Sequence, residues 1–350
     1  METALRTAAT QFELGIATVS DLPEILNFVS SNYGAPYNEA PFWKWRYFQN
    51  PVASVMVYVA RTQTGKIAAM QAVSRYSFRS GRQVREAHML TGALTAPQYR
   101  RMGLFRSLVQ KICHDLSMRE TPLLFTFPNK VSVKGFRMIS GWNENETLSL
   151  YVRPLFSFRG GGKKLHDQKD KRLLKEKLRG LDIVRQPDFP KGGDELLKSL
   201  DAGLYYIDRS KEYLTWRYCS GTANEYEIFH ALHGGEHEGY VVLTSREFKG
   251  FAAGLVVDLA ARSNAVAQEL LRSVVIESTL HGFRVISFLV GRTNPFAEAL
   301  KMNNFVKWPS ALSTRRFYHY AYSSNEFGNE TKPAPTDLEW YLTWGDTDVT

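Results

Sequence analysis

The stretch LTAPQYRRMGLFRSLVQ, residues 94–110, sets a proline, a pair of arginines and a glycine against a run whose apolar residues fall at helical spacing. Leu104, Phe105, Leu108, Val109, Ile112, Cys113 and Leu116 make a continuous i, i+3, i+4 stripe, and Arg106, Gln110, Lys111 and His114 face away from it. The pattern predicts a helix that begins near Gly103. Upstream, HMLTGALTAP (88–97) reads as a buried strand, and Pro97, which has no N–H for a ladder, favours its ending there. The first turn of a helix carries unpaired N–H groups and the positive end of the macrodipole, so the loop QYRRMG delivers a place that attracts an anion. Glycine lets such a group approach the backbone, and arginine adds permanent charge. The same residues also suit a plain helix start with solvated arginines, and the motif alone leaves both readings open.

Working outward, the chain contains two versions of one pattern. FWKWRYFQNP (42–51) has a partner in YLTWRYCSGT (213–222), each with a Trp-Arg-Tyr triplet. Before them, LGIATVSDLPEILNFVSSNYG from Leu14 parallels LDIVRQPDFPKGGDELLKSLDAG from Leu181: an apolar strand, a polar turn with proline, then a helix. After them, VMVYVARTQTGKIAAMQAV (55–73) answers YEIFHALHGGEHEGYVVLT (226–244), strand, Gly-bearing turn, strand. HMLTGALTAP then matches FAAGLVVDLAA (251–261), PLLFTFPN (122–129) matches RVISFLVGRTN (284–294), and further helices lead into SGW (140–142) and NNF (303–305). Similarity over so long a span predicts two copies of one α/β domain, each a mixed central sheet with helices on both faces. The expected division is residues 1–155, a basic linker at 156–180, a second domain at 181–325 and a tail at 326–350. Because the Trp-Arg-Tyr triplet recurs in the copy that lacks the QYRRMG loop, its aromatic residues are expected in the core, with Arg46 and Arg217 tying down carboxylates or carbonyls.

Bulk properties narrow the function classes. The chain has 350 residues, a formal net charge of +9 and two cysteines, Cys113 and Cys219, with no neighbouring Cys or His at metal-ligand spacing. They read as reduced core residues, and no metal site is expected. The sequence has no membrane-spanning run and no basic start followed by an apolar stretch, which predicts a cytoplasmic protein. Much of the excess charge sits in RGGGKKLHDQKDKRLLKEKLRG (159–180), expected to be an exposed and partly helical connector rather than a polyanion site.

From Leu94 to Phe105 the order strand, Arg-x-x-Gly, helix resembles the acetyl-CoA pyrophosphate loop of the GCN5-related N-acetyltransferase (GNAT) superfamily, whose pattern is Gln/Arg-x-x-Gly-x-Gly/Ala. Arg100 and Gly103 fit, whereas Phe105 departs and would narrow the approach to the phosphates. FPNKVSVKGFRMISGW (127–142) resembles the family's next strand and helix, with Asn129 toward the cofactor and Ser132 at the small-residue place. The tail EWYLTWGDTD (339–348) resembles the ending of GNAT-like proteins that accompany bacterial surface-polysaccharide synthesis. The resemblance implies acetyl-CoA or another acyl-CoA as co-substrate, held by Leu94, Thr95, Arg100, Arg101, Met102, Gly103, Leu104, Phe105, Arg106 and Asn129. It implies transfer of the acyl group to an amine on a small metabolite or amino sugar. In the second copy the turn reads DLAARSNAVAQELL (258–271), without glycine, so cofactor binding is expected to be lost there.

Acyl transfer from a thioester to an amine needs a base, a donor to the oxyanion and a proton for the thiolate. Glu86 and His88, two apart on a strand, share a face and are the candidate bases. Phe136 stands where the family often has a tyrosine that protonates sulfur, and a phenyl ring has no proton to give; Tyr99 lies too near the phosphate loop to replace it. Two rival readings remain: a non-catalytic ligand-binding protein of the same fold, and a FemAB-like aminoacyl transferase using charged tRNA, which suits the net charge but not the RRMG loop. Nucleic acid is not the expected partner.

Overall fold

The computed structural model describes residues 11–32, 39–51, 55–80, 83–117, 123–156, 176–178, 180–190, 195–198, 204–220, 225–248, 250–313, 315–322 and 338–347. Most of the basic connector, 157–175, lies outside the described residues, as does the whole of 323–337, which includes the first part of the expected tail. The chain forms two compact units. The first takes residues up to Phe78, then Arg85–Glu146 and Phe317–Leu338; the second takes Arg79–Val84, Thr147–Arg316 and Glu339–Thr350.

In the first unit β1 (Phe12–Ile16), β2 (Val55–Thr62), β3 (Ile67–Ser80) and β4 (Gln83–Thr95) follow one another across the sheet, and β5 (Leu123–Thr126) lies parallel to β4. The strand Phe317–Tyr322, expected with the second copy, instead pairs antiparallel with β5, Tyr320 opposite Thr126. Beyond it comes the start of β6 (Trp142–Pro154). Alternation along β2 sends Tyr58 and Ala60 to one face and Val57 and Val59 to the other. The first face is covered by α3 (Leu104–Ser117) and α4 (Ser132–Phe136) through Leu108, Ile112 and Phe136; the second by α1 (Leu22–Asn32) and α2 (Ala40–Trp43) through Ile25, Val29 and Trp43. The helix predicted from near Gly103 is thus α3, its apolar stripe facing the sheet.

The second unit repeats this plan. From the later part of β6 its sheet runs to β13 (Val285–Val290), β12 (Phe251–Ala261), β11 (Glu236–Phe248), β10 (Glu227–His233), β8 (Leu181–Arg185) and β7 (Glu176–Leu178), and only β12 and β13 are parallel neighbours on this path. β7 falls at the end of the expected connector, and it is strand rather than helix. α5 (Glu195–Lys198), α6 (Lys211–Cys219), α7 (Asn264–Leu280) and α8 (Ala297–Met302) complete the unit with β9 (Leu204–Ile207), β14 (Val306–Lys307) and β16 (Glu339–Trp340); Phe317–Tyr322 is β15 in this numbering. Both Trp-Arg-Tyr triplets are buried, the first in a π-helical turn that continues α2, the second in α6. Arg217 ties down carbonyls as expected, donating to Gly345 O at 3.1 Å and Thr347 O at 3.3 Å. Among the described residues no helix is long and apolar enough to cross a membrane.

Candidate acyl-carrier site

The site is built where β4 and β5 part. They pair only from Ala87↔Leu123 to Met89↔Phe125, and then the Thr126 hydroxyl takes the Leu90 carbonyl at 2.8 Å. β4 runs on to Thr95 while β5 stops at Thr126. Leu94 and Thr95 therefore lie half-buried on a strand that has outrun its parallel neighbour.

A 3-10 turn at Pro97–Tyr99 ends the strand, with the Tyr99 N–H on Ala96 O and the Arg100 Nε directed at Thr95 O from 3.4 Å. Arg101 has φ 66° and Gly103 φ 80°, with Met102 between them of ordinary hand. Backbone of alternating hand turns successive N–H groups toward one side, which makes a concavity suited to an anion. A left-handed conformation strains arginine, whereas Gly103 adopts it freely. Arg100, Arg101, Met102 and Gly103 are all exposed, and a Cβ at Gly103 would meet nothing within 4 Å. Having no side chain, Gly103 cannot cap α3, so the N–H groups that open it stay available. Leu104 is buried in the core beneath, and Arg106 is half-buried with its Nε shielded from solvent and without a hydrogen-bond partner among the described residues.

The second copy handles the same position differently. Ser263 caps α7 through its own side chain, accepting from Val266 N at 3.3 Å, and Asn264 reaches Pro295 O and the Ala299 N–H. The Val266 N–H, one of the donors that open α7, is thus used internally.

Phe105 does not stand in the way of the loop. Its ring packs edge-on to Phe136, centroids 5.2 Å apart, and over Gly135, where a Cβ would come within 2.5 Å of it. The expected narrowing at Phe105 is absorbed by a glycine on α4. Phe136 itself is 2% exposed, set among Phe105, Trp142 and Tyr320. Asn129 is exposed and turns its Oδ1 to the Val131 and Ser132 N–H groups at 2.9 and 3.0 Å, which fixes the side chain at the entrance to α4.

Glu86 and His88 do share a face of β4. The His88 Nε2 lies 3.4 Å from Glu86 Oε1, and Arg75 on β3 holds the other carboxylate oxygen at 2.7 Å. His88 is buried, and Glu86 keeps about a third of its side-chain surface exposed. Sequence reasoning missed Arg75, because its pairing with Glu86 depends on the β3–β4 register. A carboxylate against one ring nitrogen favours the tautomer with the proton there, which puts the lone pair on Nδ1. The thiol of Cys113 is buried under Trp142 and pushed up to about 12 by desolvation, so it is no nucleophile. One group of metal-ligating side chains converges among the described residues, Glu227, Glu277 and His281 in the second unit. Arg185 already supplies a cation there, 2.7 Å from Glu227 Oε1 and 3.7 Å from Glu277 Oε1.

Residues 15–139 match the family model described as an acetyltransferase (GNAT) domain, so the first unit carries a GNAT domain, a domain of acyl-CoA-dependent N-acyltransferases. No curated protein matches the sequence. Among solved structures, a GCN5-related N-acetyltransferase from Anabaena variabilis superposes with a TM-score of 0.64 at 12% identity, covering 89% of this chain and 72% of that one. A probable N-acyltransferase from Enterococcus faecalis gives 0.61 at 12% identity over 89% and 71%. Saccharomyces cerevisiae N-myristoyltransferase with bound myristoyl-CoA gives 0.54 at 13% identity over 89% and 82%. At these identities the likeness is one of fold, and it spans both units.

Proposed function

We propose that this chain is an N-acyltransferase whose first unit binds acetyl-CoA, or another acyl-CoA, and passes the acyl group to an amine of a small metabolite or amino sugar. The observation that carries the reading is the exposed loop Arg101–Gly103, left-handed at two of its three residues, at the uncapped start of α3. In this reading the N–H groups from Met102 to Arg106 receive the diphosphate, with Arg100, Arg101 and Arg106 adding charge. Asn129 contributes its amide N–H groups, since its oxygen is already engaged. The carrier's arm lies along β4 at Leu94 and Thr95, and backbone N–H groups of that strand polarise the thioester carbonyl.

His88, with Glu86 and Arg75 behind it, takes the proton from the attacking amine. The amine nitrogen attacks the thioester carbon, forming the C–N bond and the tetrahedral oxyanion; collapse of that oxyanion re-forms the carbonyl and breaks the C–S bond, and the sulfur leaves as thiolate. Phe136 supplies no proton, so solvent protonates the leaving thiolate. A non-catalytic binding role is favoured by the burial of Phe136 alone.

Titration of the full chain with acetyl-CoA in a calorimeter tests binding; saturable heat with a rise in melting temperature is expected. No interaction at millimolar ligand would overturn the reading. Release of free thiol with a panel of amines then separates enzyme from binding protein.

A further inference from the structure

In the second unit the divergence of the parallel pair is already filled. β12 and β13 pair from Ala253↔Val285 to Val256↔Phe288, and both run on beyond. The chain's own C-terminal segment lies on those extensions. The Tyr341 hydroxyl donates to Leu259 O at 2.6 Å on the β12 side, and Gly345 sits so close to Val257 O that a Cβ would stand 3.0 Å from it. On the β13 side Thr343 bridges Val290, and the Gly291 N–H donates to Leu342 O at 3.0 Å. Trp340, Tyr341 and Leu342 are at most 1% exposed.

A buried charge cluster fixes the segment. Arg209, fully buried, donates to both Asp346 oxygens at 2.9 and 2.8 Å, and its Nη2 lies 3.3 Å from Asp258 Oδ1 on β12. Two carboxylates around one guanidinium leave a negative charge in excess, and burial holds the Asp258 carboxyl above its usual range. The Tyr218 and Tyr240 hydroxyls both donate to Asp258 Oδ2. Asp346 also accepts from the Thr343 N–H and hydroxyl, so the turn at its end is self-supporting.

We propose that residues 339–347 are a built-in ligand of the second unit, holding the place that the amide-bearing arm of the acyl carrier takes in the first. The Leu342 carbonyl and the Thr343 backbone meet β13 as the amides of that arm would, and at the neighbouring helix start Ser263 takes the Val266 N–H where the first unit has Gly103. The comparison rests on the function proposed for the first unit. The occupancy of the second does not.

The test is amide hydrogen exchange on the full chain with and without saturating coenzyme A, alongside calorimetric stoichiometry. One equivalent per chain is expected, with the Gly291, Tyr341 and Thr343 amides exchanging slower than a free peptide by on the order of 10³-fold or more, with or without ligand. A second equivalent, or faster exchange of those amides on adding coenzyme A, overturns the proposal. So does coenzyme A binding retained by Gly103→Glu together with faster exchange at 339–347. If no coenzyme A binds, the first-unit reading fails while protected amides still support the built-in ligand. Asp346→Asn is expected to raise exchange in 339–347 by on the order of tenfold and leave α3 unchanged; unaltered protection overturns the role of the charge cluster.

Discussion

Phe105 and Gly135 fit as ring and notch: the phenylalanine opening α3 lies where any side chain on the facing turn of α4 would collide with it. The contact ties the start of the proposed phosphate-binding helix to the helix that follows Asn129. Gly135→Ala should therefore cost about 1–3 kcal/mol through overpacking. In the Phe105→Ala background the same change should cost much less. Urea unfolding of the four-member cycle measures this; additive effects would show that the ring moves aside freely.

Gly103 separates backbone conformation from ligand access. Its φ of 80° makes Gly103→Ala cost about 1 kcal/mol of stability, and open space around the Cβ leaves room for the methyl. Affinity for acetyl-CoA should fall only a few-fold. Gly103→Glu sets a carboxylate against the diphosphate and should abolish binding with a similar loss of stability. Retained affinity in the glutamate variant places the pocket elsewhere.

How far these features could be read in advance depends on their range in sequence. The helix at 104–117, both Trp-Arg-Tyr burials and the need for glycine at 103 follow from local pattern, and they were legible. The aromatic run Phe317–Tyr322 suits a strand but does not name its neighbour, because pairing is non-local and fixed by the whole sheet. The expected bounds of 181–325 take in β15, whereas it pairs with β5 of the first unit. Phe105 reads as obstructive in sequence because the glycine that accommodates it lies thirty residues on, in another helix. Arg75 and the tail's place between β12 and β13 were hidden for the same reason, each resting on a register that no single segment specifies.

The Arg75–Glu86–His88 chain predicts a graded loss of turnover. His88→Asn should lower kcat by roughly 10²–10³ with little change in the KM for acyl-CoA, as expected for a general base. Glu86→Gln should lower it less, roughly tenfold, since the carboxylate orients the ring without touching the amine in this scheme. Arg75→Ala should resemble Glu86→Gln. Steady-state kinetics decides: equal kcat in wild type and His88→Asn removes His88 from the chemistry.

Stability should fall as the medium is acidified from neutrality, because three histidines fold as neutral rings. Burial pushes His319 down to about 3, and His230 and His237 each down to about 4, the latter two sharing an Nδ1···Nε2 contact of 3.1 Å. That contact needs one donor and one acceptor, so a proton on both rings would set N–H against N–H. The folded values lie below the unfolded value of about 6.5, so between pH 6.5 and 4 the unfolded chain binds more protons and stability rises with pH. Their stabilisation is fully present above about pH 6.5 and is lost as pH falls toward 4, with uptake of up to about three protons on unfolding near pH 5. His319→Gln should remove about one of them and flatten the profile. Melting temperature followed from pH 7.5 to 4.5 measures the slope, and a flat curve would mean that these rings are protonated in the folded protein.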